Sequence, residues 1–152
     1  MEKLPPSRLS MISAIAASIG MLGARIVSQA NSYNALMHDA AEAFIGDITR
    51  PLKRLLPEYK VIEKWVEVAI FVKFNVSNPM PDEVKPADLR MLATEQRDLV
   101  AAHDDEWGCL MGIQPVAETI TPWAPKRAYD EFMMVYESFT FTPSDSDQES
   151  WR

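Results

Sequence analysis

Cysteine is almost absent: Cys109 stands alone, which rules out an intrachain disulfide and suits a reducing compartment, so a cytoplasmic location is expected. With Trp107, Leu110 and Met111 around it, the thiol reads as a buried structural one. Glycine is also scarce, 5 against 11 prolines, and with 47% apolar and 24% charged residues this excludes the fibrous and disordered classes. Basic residues are outnumbered 15 to 22, a formal charge of -7, which excludes a surface for duplex nucleic acid because phosphate neutralisation needs clustered Lys and Arg. Small anionic ligands stay open, since residues 1 to 60 hold seven basic and five acidic groups. A charge-free run of membrane length is lacking too. Leu9 to Ala24 gives sixteen uncharged residues behind Lys3 and Arg8, but they include three serines and much Ala and Gly, so a closely packed buried helix is expected and no membrane contact.

What is there is helical. At 152 residues the chain suits one domain, taken as residues 1–142, followed by a solvated acidic tail at 143–152. Ser7 caps a predicted helix that runs to about Gln29, and a second runs from about Tyr33 to Phe44 with Gly46 as its stop. Pro51 opens a short turn through Leu56. From Glu58 to about Asn75, Val61, Ile62, Trp65, Val68, Ala69 and Val72 recur at spacings of three and four, an amphipathic pattern. A proline-broken loop from Asn78 leads to a helix from Pro86 to about Ala102. An irregular stretch follows through the prolines at 115, 122 and 125, and then a last helix from Pro125 to Phe139 with Ala128, Phe132, Val135 and Phe139 on its packed side. The expected fold class is all-α.

The residues that carry chemistry concentrate in His38-Asp39-Ala-Ala-Glu42, with Asp47 just past Gly46. On one helix His38 and Glu42 lie a turn apart on the same side, and Asp39 shares a neighbouring side with Glu42. The adjacent imidazole and carboxylate can hold a divalent cation, while the carboxylate one turn further on relays a proton from bound water without being a ligand. The same spacing also describes an ordinary polar helix face. Asp88 in Lys85-Pro-Ala-Asp88 is a second candidate, polar within an apolar pattern and two turns before Glu95, and it fits equally a helix-start acid that meets the macrodipole.

Taken together, residues 35–53, from Ala35-Leu-Met-His38-Asp39 through Glu42, Gly46-Asp47 and Arg50-Pro51-Leu-Lys53, resemble the signature of the HD-domain phosphohydrolases of the short bacterial and phage type. Lys85-Pro-Ala-Asp88 with Glu95 resembles that family's later aspartate helix, and Ile120-Thr-Pro-Trp123-Ala-Pro125 the entry to its last one; the matches span residues 21 to 139. The resemblance implies a compact helical domain that hydrolyses small (deoxy)nucleotides, as 5'-deoxynucleotidases and phage dATP triphosphohydrolases do. It implies His38, Asp39 and Asp88 as ligands of a divalent metal (Mn, Co, Zn, Fe, Ni or Mg), Glu42 and Asp47 as the groups that handle the attacking water, and Arg50 and Lys53 at the phosphate. It also implies a homo-oligomer. The chain departs from that pattern in one place: where the family has Glu-His-Ser, whose His completes the metal shell, this sequence has Ser18-Ile19-Gly20. His103, the only other histidine, is a possible substitute, as are a carboxylate or water. The departure defines an alternative, a catalytically degenerate HD domain that binds a nucleotide or a protein partner.

Overall fold

The structure is a computed structural model that describes residues 21–46, 48–100 and 107–140, with Arg50 as backbone only. The expectations for the serine-rich residues 7–20, for Asp47, for His103 and for the tail at 143–152 lie outside the described residues. Every regular element among the described residues is helical, as the sequence predicts. Helix α1 is described over residues 21–26, α2 spans Ser32–Met37, α3 Glu42–Ile45, α4 Arg50–Leu55, α5 Pro57–Phe74, α6 Val84–Leu99 and α7 Pro125–Thr140. Short 3-10 turns at Gln29–Asn31 and Gly108–Leu110 complete the set.

Helix α2 is short but central. Leu36 packs with Met21 and Ala24 of α1 beneath Val135 and Tyr136 of α7, whereas Met37 packs with Ile70 and Phe71 of α5. Two polar side chains fasten the same helix to the end of α5: Tyr33 donates its hydroxyl to the Phe74 carbonyl at 2.8 Å, and buried Asn34 accepts the Ser77 N–H at 2.8 Å. A third cluster, Met91 of α6 with Val116 and Ile120, receives Leu22, Ile26 and Leu99 and so ties the irregular segment to α6. Burial of a large apolar side chain in such clusters contributes about 1.5–3 kcal/mol each.

Three expectations need correction. The helix expected over Tyr33–Phe44 is two helices, because His38–Ala41 closes with tighter i to i+3 bonds, Ala40 N–H to Met37 O at 3.1 Å and Glu42 N–H to Asp39 O at 2.9 Å. The His38 side chain supplies a reason: its Nδ1 sits 2.8 Å from the Ala35 carbonyl, the group that a continuous helix would give to the Asp39 N–H. Cys109 is exposed, not buried, because it lies on the 3-10 turn that turns Leu110 inward. The helix at Pro57–Phe74 forms within one residue of its predicted limits and ends on left-handed Asn75 (φ 55°), yet the apolar stripe that defined it faces outward. Val61, Ile62, Trp65 and Val72 are 48 to 79% exposed, while Ile70 and Phe71, on the other side of the helix, reach the core.

A candidate cation site between two helices

The interruption after α2 places His38 and Asp39 opposite the first turns of α6. Val84, Ala87 and Met91 fix that helix by burial, and Asp88 lies between them in sequence at the edge of the packed face. As a result one ligand-type atom from each of His38, Asp39 and Asp88 falls within 4.8 Å of the others, although the chain separates the third by about fifty residues. His38 Nε2 is 2.9 Å from an Asp39 oxygen and 3.5 Å from an Asp88 oxygen. Their side chains are 16, 55 and 21% exposed, so the cluster opens to solvent through Asp39.

The imidazole orientation decides what this cluster can do. A carbonyl only accepts, so Nδ1 must carry a proton and donate it to Ala35. A neutral His38 therefore points its Nε2 lone pair at two carboxylates, an arrangement that needs a cation. Nε2 is buried and makes no hydrogen bond of acceptable geometry to either of them. Two kinds of cation satisfy it: a proton on Nε2, or a metal ion held by all three groups. Without a metal, burial opposes the charged ring, but the Asp39 and then the Asp88 carboxylate overcome it and raise the His38 pKa to about 10. Asp88 responds in kind: burial pushes its pKa up, and His38 followed by Lys85 pulls it down to about 2.

Lys85 is the residue that the sequence reading did not single out. Its Nζ lies 2.5 Å from Asp88 Oδ2, one helical turn before it, and the side chain is 66% exposed. The i, i+3 spacing in Lys85-Pro-Ala-Asp88 is the signal that points to it. Glu42 lies beyond the turn on α3, 28% exposed, with Lys53 Nζ at 3.9 Å. Lys53 itself is engaged with Glu63 of α5 at 2.8 Å and lies 6.0 Å from the Tyr59 ring, whose hydroxyl donates to the Gly46 carbonyl at 2.7 Å. The structure thus gathers His38, Asp39 and Asp88 into one cluster and Glu42 and Lys53 into an ion-paired neighbourhood. Arg50 opens α4, where Pro51 fits the first turn.

The class these features define is an all-α protein with a His/Asp/Asp group at the junction of two helices. Among known proteins, the chain is similar to YfdR, an uncharacterized protein of Escherichia coli (strain K12), with 45% identity over 115 residues that cover 74% of this chain. The chain spans 64% of the length of YfdR. No family model matches it, and no solved structure does.

Proposed function

We propose that the protein is a metal-dependent phosphohydrolase of small (deoxy)nucleotides, with His38, Asp39 and Asp88 as the protein ligands of one divalent cation. The observation that carries this reading is the His38 ring: its Nδ1 is committed to a backbone carbonyl, which leaves a buried Nε2 facing two carboxylates, one from the turn after α2 and one from α6. A nitrogen and two oxygens suit borderline and hard divalent ions alike. Such an ion supplies Lewis acidity that lowers the pKa of water, and positive charge for phosphate oxygens.

The remaining steps belong to side chains. Water adds its oxygen to phosphorus as the ester or anhydride P–O bond breaks; the water's proton passes to a carboxylate and the departing oxygen takes one up. Glu42 is the acceptor in this proposal, with Asp47 as its helper, and the neighbouring Lys53 holds Glu42 in place. Because Lys53 is shared with Glu63, the exposed Lys85 beside Asp88 joins Arg50 and Lys53 as a phosphate contact in this proposal.

Elemental analysis of untreated protein, paired with a phosphate-release screen over deoxynucleoside mono- and triphosphates with added Mn, Co, Zn and Mg, tests the reading. About one metal per chain with turnover that Glu42→Ala removes supports it. Absence of both metal and turnover defeats it and leaves the degenerate domain. That second reading has its own observations: Ile19 stands where a ligand histidine is expected, and His38 as imidazolium with Lys85 already balances the two aspartates.

A further inference from the structure

Helix α5 is apolar on two opposite sides, and only one of them has a partner within the described chain. Val66, Ile70, Phe71 and Phe74 serve the core. Val61, Ile62, Trp65, Val68 and Val72, which fall within about 120° of one another around the helix, are 49, 48, 70, 36 and 79% exposed. The preceding helix adds Leu55, 76% exposed. Together these side chains expose several hundred Å² of apolar surface, more than isolated surface residues explain.

We infer that this face is the contact between two copies of the chain, with α5 packed antiparallel on α5 of the second copy across a two-fold axis near Trp65. The charges at the ends of the stripe select this arrangement. Glu58 stands at its N-terminal end and Lys73 at its C-terminal end, both exposed and neither in an ion pair among the described residues. They are fifteen residues apart, about 22 Å along the axis. An antiparallel pair centred between positions 65 and 66 brings each Glu58 opposite the partner's Lys73, sets Ile62 against the partner's Ala69, and stacks the two Trp65 side chains about the axis. A parallel pair would oppose Glu58 to Glu58 and Lys73 to Lys73. The face is therefore its own complement only when one copy is reversed, which is the condition for a closed two-fold dimer. The two charge pairs also require a shallow crossing, near the 20° class of helix packing, since a steep crossing moves the ends apart. This inference is independent of the cation site.

Sedimentation velocity of the full chain over a micromolar concentration series tests it. The parent is expected to sediment as a dimer. Trp65→Glu, with helical circular dichroism unchanged, is expected to weaken association roughly 30-fold or more; if that variant does not fold, Val72→Lys takes its place at a more exposed position. Glu58→Lys or Lys73→Glu alone is expected to weaken it about 5-fold and the double exchange to restore it, because opposite charges then face each other again. A parent that stays monomeric at every concentration overturns the inference, whether the stripe remains bare or residues 9–20 of the same chain lie on it. A double exchange that fails to restore association overturns the antiparallel register.

Discussion

Thr94 is fully buried on α6, and its hydroxyl has two tasks: it donates to the Arg90 carbonyl at 2.7 Å and accepts the Val116 N–H at 3.0 Å. Valine has the same shape without the acceptor, so Thr94→Val strands the Val116 N–H and is expected to cost about 1–3 kcal/mol in urea unfolding. A loss under half a kcal/mol would mean that water reaches that N–H. One turn further, Arg97 and Asp98 hold the same irregular segment by charge. The guanidinium donates to the Val116 and Glu118 carbonyls, and the Asp98 carboxylate accepts from Arg97 and from the Ile120 N–H. Arg97 foremost, with the Ile120 N–H, lowers the Asp98 pKa below its ordinary value. A carboxylate whose folded pKa is depressed contributes stability above its ordinary pKa and loses it as the pH falls through the folded value. Melting of the parent and of Asp98→Asn should therefore differ at neutral pH and converge on acidification below pH 4. A gap that stays constant into strong acid counts against the charge argument. Neither Thr94 nor Asp98 stands out in the sequence, because both depend on where the chain returns some twenty residues later.

At the scale of elements the reading of the sequence succeeds where a local rule acts alone. Gly46 has φ 77° and ψ 156°, a conformation closed to other residues, and it ends α3 with its N–H on the Glu42 carbonyl. A Cβ at Gly46 meets open space, so Gly46→Ala isolates backbone strain, expected at about 1–3 kcal/mol in chemical denaturation. A neutral result would mean that the turn shifts to a relaxed conformation, with a change at neighbouring Glu42. The limits of α5 and α7 follow equally local signals: proline in the first turn of each, and left-handed Asn75 after α5. The illegible parts are those that neighbours decide. Periodicity marks Val61, Ile62, Trp65, Val68 and Val72 as a stripe, but Ile70, Phe71 and Phe74 are also apolar, and only the position of α2 determines which side turns inward. The break at His38–Ala41 is hidden for a similar reason, since nothing in the sequence says that the His38 ring will turn back onto the Ala35 carbonyl.

At the scale of the whole molecule, the all-α class was legible from the three-and-four spacing of apolar residues and the run of helix starts and stops. The pairing of residues 38 and 39 with residue 88 is a long-range event, reached in the sequence by resemblance alone and in space through α1, which packs on α2 by Met21 and Ala24 and against Met91 of α6 by Leu22 and Ile26. That pairing gives the proposed cation a measurable effect on folding. The three groups converge only in the folded chain, so an ion that binds them favours that state by mass action, about 2.7 kcal/mol at a concentration 100 times its dissociation constant. For a domain of this size the melting temperature should then rise by roughly 5 to 10 °C. The measurement is thermal unfolding of chelator-stripped protein with and without Mn, Co, Zn or Mg, alongside His38→Ala and Asp88→Asn. The rise should appear in the parent and vanish in both variants. Equal shifts in parent and variants would place the ion elsewhere, for instance on exposed carboxylates. No shift with any ion would mean that the His38 imidazolium and Lys85 already balance Asp39 and Asp88, and would favour the domain that has lost its metal chemistry over the hydrolase.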